Sequence, residues 1–301
     1  TIFIAGIRAT TETDIKKIIA LSTLSQLGII ITSLGLNIPE LTFFHLITHA
    51  LFKALLFICA GNCISLFRHS QDIRWMGNIN NQLPVTTSCI FIANIALCGF
   101  PFTAGFYSKD LILEIIIFNQ SNILIFFITF ISVGLTSFYR IRFIYAVIWS
   151  PRNHLPYSSV KENQNTLQAI LNLSFFAITI GATIIWLSLN IVIEPLIIRR
   201  IIKRLPIIIT LTGGLLGYYL SSNSLNILST PLSFYSCLIW FLVPLSTQII
   251  LKSTFTFEKQ ALLVIDQSYL ELLGPQGINY IITKTSNKYL SIFSSSPSSY
   301  L

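Results

Sequence analysis

His45, His49 and Lys53 stand at i, i+4 and i+8 in the apolar stretch FFHLITHALFKALLFICAG, residues 43–61. At 3.6 residues per turn they share one arc of about 80° and step about 12 Å along a helix axis. An ionisable group near the centre of a bilayer costs about 2.5–3.5 kcal/mol on insertion scales, so it ordinarily faces a polar or water-filled interior. Imidazole titrates near neutrality, and a desolvated ammonium sheds its proton more readily than a hydrated one. The pattern predicts a ladder that loads and passes protons. Two other readings compete with it. A single buried His is more often a core residue with its hydrogen bonds satisfied, and His pairs at i, i+4 can hold Zn²⁺. Against zinc, no Glu follows the first His, the third group is a cation, and no Cys or carboxylate completes a ligand set.

The composition fixes the solvent in which this ladder works. Hydrophobic residues make up 53% of the chain and charged residues 10%, and the mean hydropathy is +0.74. A soluble domain carries about 25% charged residues, so the expected class is an all-α integral membrane protein, a polytopic helical bundle. In a soluble chain the net charge of +8 would point to nucleic acid. Here the basic residues lie between apolar runs, where membrane topology accounts for them and nucleic acid is not expected. The five Cys include no C-x-x-C pair and support neither a disulfide framework nor a cluster or zinc site, so Cys59 and Cys63 read as small packing residues. The chain opens at Thr1 with no Met and no signal-peptide pattern, as a fragment or the product of a split gene would.

The elements that must position the ladder follow from punctuation and periodicity. Residues 1–17 read as the tail of an apolar helix and a polar turn, with Asp14 as N-cap of a helix over about 15–36. Lys16 and Lys17 fall in its first turn as basic anchors, and Ser22, Ser25 and Gln26 add a polar stripe. The ladder helix runs over about 41–67. Arg68, Asp72 and Arg74 follow on the side of Lys16 and Lys17.

A further helix begins after Pro84 and breaks at Cys98-Gly99-Phe100-Pro101, then resumes through Lys109, Asp110 and Glu114. Residues 85–98 alone are too short to span a bilayer. A helix broken at membrane depth frees backbone polar groups and marks ion sites in transporters. Lys109 is expected to meet the carbonyl end of the first half, with Asp110 and Glu114 as partners. A surface Lys in an ordinary loop is the competing reading. Helices over about 122–149, 166–190 and 205–220 come next. The first ends in a basic and aromatic belt of Tyr139, Arg140, Arg142, Tyr145 and Trp149, and the last carries Gly213 and Gly217 in close-packing GxxxG spacing. His154 reads as solvated, and Arg199, Arg200, Lys203 and Arg204 fall on the side opposite the other basic loops. Residues 231–250 read either as a seventh helix or as an interfacial segment, and 252–293 as amphipathic helix with Leu262, Leu263, Ile265, Tyr269, Leu272 and Leu273 on its apolar face.

Four motifs carry a resemblance: DIKKIIALSTLSQLG (14–28), HLITHALFKALLFICAG (45–61), SQDIRWMG (70–77) and ALCGFPFTAGFYSKDLILE (96–114). In order and spacing they resemble the chain 5 family of mitochondrial NADH:ubiquinone oxidoreductase, respiratory complex I. The related chain 4, chain 2 and Mrp-type antiporter families share the broken-helix Lys but not this wording. The match is strong over about 1–150, thin from 150 to 250, and returns weakly at DQSYLELLGPQG (266–277), similar to the start of the family's long lateral helix.

The resemblance implies the second half of an inverted-repeat, antiporter-like fold with one discontinuous helix and a C-terminal lateral amphipathic helix. Residues 1–150 would form the second antiporter-like repeat, 151–230 two additional transmembrane helices, and 231–301 an interfacial segment and the start of the lateral helix. His45, His49 and Lys53 would be the central hydrophilic axis. Lys109 would be the exit-side lysine with Asp110 as its neighbour, and Lys16 and Lys17 would contribute to the matrix-side end. A separate chain or a missing segment would supply the first repeat. The other partners would be membrane-arm subunits, notably chain 4, and membrane lipids, in the mitochondrial inner membrane. NADH, FMN, iron–sulfur clusters and ubiquinone are expected in other subunits and no cofactor in this chain, which lacks a dinucleotide fingerprint. Two alternatives stand beside proton translocation in complex I: a stand-alone cation/proton antiporter subunit, and a structural remnant of one.

Overall fold

The computed structural model describes residues 1–67, 69–118, 123–151, 162, 164–187, 203–222 and 244–294. Contacts divide the chain into two compact units, Thr1–Trp240 and Phe241–Leu301. Among the described residues every regular element is helical, apart from an isolated antiparallel bridge between Asp14 and Asp72.

The first unit contains α1 (Ile2–Thr11), α2 (Ile15–Gly35), α3 (Pro39–Leu66), α4 (Pro84–Cys98), α5 (Ala104–Phe118), α6 (Ile123–Ile144, continued by a π turn Tyr145–Trp149), α7 (Gln164–Leu187) and α8 (Leu205–Ser222). Five stretches are long and apolar enough to cross a membrane: α2, α3, Ile123–Trp149, α7 and α8. Pro39 and Pro84 open α3 and α4, where the missing N–H costs no hydrogen bond and the fixed φ suits the first turn. The stretches 151–230, set apart in the sequence reading, contribute α7 and α8 to this same unit.

Close backbone approaches set the packing. A Cβ on Gly213 would lie 2.4 Å from the Gly134 carbonyl oxygen, and one on Gly217 would lie 2.6 Å from that of Phe138, so the GxxxG face seats α8 on α6. Gly181 of α7 meets the Ala104 Cα in the same way, at 2.4 Å. The apolar core gathers Ile15, Phe52, Leu55, Ile90, Ala93 and Tyr139 around α3.

Between α4 and α5, Gly99 takes the left-handed conformation at φ 82 and closes α4, its N–H meeting the Ala96 carbonyl at 3.1 Å. Glycine adopts this conformation without steric cost. Pro101 follows, and Phe102 is itself left-handed at φ 70, uncommon for a bulky side chain.

The loop after α3 pairs with the turn before α2 through Ile15 N–H to Gln71 O and Ile73 N–H to Thr13 O, both 2.9 Å. Asp72 and Arg74 therefore share an end of the bundle with Lys16 and Lys17, as the basic-loop pattern implies; Arg68 lies outside the described residues. Asp14 occupies the N-cap position, but its side chain makes no capping bond and pairs with Lys17 at 2.7 Å instead.

Burial pushes the Asp72 carboxyl up, yet hydrogen bonds from Arg74 and its charge outweigh this and hold Asp72 below the ordinary 3.8. A carboxylate depressed in the folded state adds stability above its unfolded pKa and loses it as pH falls through the folded value. Asp72→Asn is expected to cost about 0.2–1 kcal/mol at neutral pH, the range of an exposed pair. Thermal midpoints of variant and wild type should converge as pH falls through the depressed folded value of Asp72.

The second unit, described by itself, begins with a π turn Pro244–Gln248 and continues as α9 (Ile249–Ala261), a π-helical stretch Leu262–Leu270, the short turn Glu271–Leu273 and α10 (Pro275–Ser294). The sequence reads 252–293 as one helical period, whereas the structure interrupts it. Wider i→i+5 turns change the period over 262–270, and Gly274-Pro275 breaks the helix. Leu262, Leu263, Ile265, Tyr269, Leu272 and Leu273 are all exposed within this unit. Of the ambiguous segment 231–250, residues 244–250 are helical and 231–243 lie outside the described residues, as do His154, Arg199 and Arg200.

Candidate functional site

Each rung of the ladder on α3 is buried: His45 is 4% exposed, His49 7% and Lys53 5%. The polar stripe of α2 receives Lys53 and His45. Lys53 Nζ donates to the Ile19 carbonyl at 3.2 Å and to the Ser22 hydroxyl, which itself donates to the Ile19 carbonyl at 2.8 Å. His45 Nε2 lies 3.3 Å from Gln26 Oε1, and His45 Nδ1 lies 2.9 Å from the Ser108 hydroxyl on α5. With Nε2–H donating to Gln26, Nδ1 accepts from Ser108, whose oxygen accepts from Thr48 at 3.1 Å. The ring thus joins three helices. The His45 and His49 ring centroids are 6.2 Å apart, too far for a direct hydrogen bond.

Lys109 follows Ser108 directly and is 1% exposed. Its Nζ donates to Thr136 Oγ1 on α6 at 3.0 Å. This differs from the expected contact with the α4 carbonyl end: Gly99 and Phe100 N–H already take the Ala96 and Ile95 carbonyls. Asp110 is buried, and a Cβ on Gly99 would sit 3.6 Å from its Oδ1. Glu114 does not join Lys109. It pairs with Lys203 just before α8, at 3.8 Å, which gives that cation a local carboxylate at an end of the bundle.

Lys16 and Lys17 stay apart from the ladder. Both are exposed, Lys17 at 60% of its side chain, and Lys17 is held by Asp14.

One central residue lies elsewhere than its sequence context implies. The sequence places Arg140 in a surface belt, yet it is 2% exposed. Its Nη1 donates to Asn94 Oδ1 on α4 at 3.1 Å, and its Cζ lies 5.4 Å from the centre of the Tyr139 ring. The Tyr139 hydroxyl lies 3.3 Å from Ser25 Oγ on α2. Arg142, two residues on and so on another face of α6, donates to the Thr10 carbonyl on α1. The available signal was Ser132, Thr136 and Arg140 at i, i+4 and i+8, the spacing of the ladder itself.

A polar line therefore crosses the apolar bundle, from Lys53 through Ser22, Ser25 and Tyr139 to Arg140, with Thr136 one turn away on the same face of α6 and Lys109 of α5 bonded to it. His45 and Ser108 supply a second link between α3 and α5. Along this line Gln26 Nε2, His49 Nε2, and Arg140 Nε and Nη2 are buried without a hydrogen-bond partner. Among the described residues, no three His, Cys, Asp or Glu come together as a set to hold a metal ion.

Residues 1–136 match the family described as NADH:quinone oxidoreductase/Mrp antiporter, TM. Residues 139–301 match the one described as NADH dehydrogenase subunit 5 C-terminus. The chain belongs to the NADH dehydrogenase subunit 5 family. It is 43% identical over 307 residues to NADH-ubiquinone oxidoreductase chain 5 of Lumbricus terrestris, covering 100% of this chain and 53% of the relative. The chain of the same name from Anopheles gambiae is 39% identical over 303 residues, covering 98% and 52%, and that of Rattus norvegicus is 38% identical over 294 residues, covering 95% and 48%. The chain spans about half the length of the curated relatives it matches. The family's antiporter description fits a bundle whose polar groups face one another across helices.

Proposed function

We propose that this chain is part of a core membrane-arm subunit of complex I and takes part in proton translocation across the inner mitochondrial membrane, coupled to NADH:ubiquinone electron transfer. The observation that carries the proposal is the buried polar line from Lys53 to Lys109. A membrane protein keeps two lysines, an arginine and two imidazoles inside only where they work or are paired, and among the described residues none of them forms an ion pair within 4 Å.

In this reading His45, His49, Lys53, Lys109 and Asp110 form the proton path, and α4 and α5 are two halves of one discontinuous helix. Protons on Lys53 and Lys109 repel each other, so neutralising one lysine lets its neighbour reload. The open nitrogens of Gln26, His49 and Arg140 favour a hydrated interior, which bridges the gap between the two imidazoles. Lys16 and Lys17 serve the matrix-side end as surface cations. Electron transfer, with NADH, FMN, iron–sulfur clusters and ubiquinone, belongs to other subunits. Partners are the neighbouring membrane-arm subunits, chain 4 among them, and a further segment or chain that supplies the first repeat. The exposed apolar residues of the second unit suit the start of a lateral helix lying along the arm.

The test is Lys109→Ala, measured as protons pumped per electron in sealed membrane particles matched for content of the complex. The ratio should fall, and an unaltered ratio reduces the chain to a structural brace. In detergent the chain should comigrate with redox subunits. Purification as a small homo-oligomer would instead favour a stand-alone cation/proton antiporter.

A further inference from the structure

Arg140 has no counterpart in the proton-loading scheme above, because a guanidinium does not give up its proton in a protein. It nevertheless sits in the middle of the polar line. Its charge reaches His49 and Lys53 on α3 and Lys109 on α5. Thr136, which holds Lys109, lies one turn before it, and Tyr139, which meets the Ser25 hydroxyl, lies beside it in the chain. One nitrogen is fixed by Asn94, whose own Nδ2 is anchored to the Ile90 carbonyl at 2.9 Å. The other two, Nε and Nη2, are buried and open. No carboxylate lies within 4 Å of it among the described residues. A buried cation with no counter-ion is costly, and a fold that needed only hydrogen-bond donors here could use a neutral amide.

We infer that Arg140 is a positioning residue: a permanent positive charge within reach of both Lys53 and Lys109, whose repulsion keeps the two lysines from holding protons at the same time. The inference rests on the proton-path reading. With a fixed charge in reach of both sites, protons on both lysines at once meet two like charges rather than one. That disfavours the doubly loaded pair, so when a proton arrives at one site the lysines' own repulsion is enough to release the proton of the other. Asn94 keeps the guanidinium from swinging toward either lysine.

Among the described residues, the titratable and charged groups that the Arg140 charge acts on are His49 and Lys53 from α3, Cys98 from α4 and Lys109 from α5. The facing residues of α2, Ser22 and Ser25, contribute hydroxyls only. Asp110 feels Lys109 and Glu114 rather than Arg140.

Three variants are compared in sealed particles containing the complete complex: Arg140→Gln, Arg140→Lys and Lys109→Ala. The readout is protons per electron from about pH 6 to about pH 9, a range in which a desolvated lysine changes charge and arginine does not. Arg140→Gln is expected to match the lowered ratio of Lys109→Ala at every pH. Arg140→Lys should follow the wild type at the acid end and fall to the Gln value at the alkaline end, a profile that lost packing alone does not produce. A wild-type ratio in Arg140→Gln beside a lowered ratio in Lys109→Ala overturns the inference and leaves the path standing. So does an Arg140→Lys ratio as low as that of Gln at the acid end. An unaltered ratio in Lys109→Ala removes the path reading itself. Should the Gln variant fail to assemble, the Lys profile decides.

Discussion

Lys53→Met is expected to slow proton transfer through this subunit about 10²–10⁴-fold, the usual effect of removing a positioned proton-transfer group, while leaving the fold intact. The two halves of this expectation come from the same contacts. Lys53 Nζ is held by the Ile19 carbonyl and the Ser22 hydroxyl. The Ser22 hydroxyl already donates to the Ile19 carbonyl, so methionine leaves neither group stranded. Replacing a buried charge by an apolar side chain of similar length is often neutral or stabilising. A lower proton-to-electron ratio with an unchanged thermal midpoint in detergent is therefore the expected pair of results. A midpoint that falls together with the ratio would mean that Lys53 holds α3 to α2 and does no chemistry, and an unaltered ratio would remove Lys53 from the path.

What could be read from the sequence follows from how each group differs from its background. The ladder was legible because His45, His49 and Lys53 stand alone in an apolar helix, and only one face can hold them. The gap between α4 and α5 was legible because Gly99 and Pro101 each oppose helix continuation. Ser22, Ser25 and Gln26 were recognisable as a stripe but not as partners of particular side chains, since pairing across helices depends on rotation and depth. Arg140 was hidden by its neighbours. Beside Arg142, Tyr145 and Trp149 it looks like one more member of an interfacial belt, yet the turn between 140 and 142 sends one guanidinium to Asn94 and the other to α1. Glu114 differs from its sequence expectation for a related reason. Its sequence neighbour is Lys109, while its partner Lys203 arrives from a helix far along the chain. Helical spacing decides which residues share a face. It does not decide which face a distant helix covers.

Gly105→Ala is expected to destabilise the bundle by about 1–3 kcal/mol, the cost of overpacking a close contact, and to weaken proton coupling with it. A Cβ there would stand 1.9 Å from the Ala96 carbonyl oxygen and 2.9 Å from its carbon, both backbone atoms that cannot rotate away. The same carbonyl accepts the Gly99 N–H that closes α4, so a methyl group must either part α5 from α4 or unmake the cap at the gap. The third neighbour of that Cβ is Phe52, next to Lys53. Separation at this point therefore pulls Ser108 and Lys109 from the helix that carries the ladder. Gly61 is the control: it lies within α3, and its Cβ would meet nothing within 4 Å. Gly61→Ala should stabilise by about 0.5–1 kcal/mol through the better helix propensity of alanine. Thermal midpoints of the detergent-solubilised complex should move in opposite directions for the two substitutions. Equal midpoints would mean that α4 and α5 do not approach through Gly105, and the seat of Lys109 against α3 and α6 would lose its support.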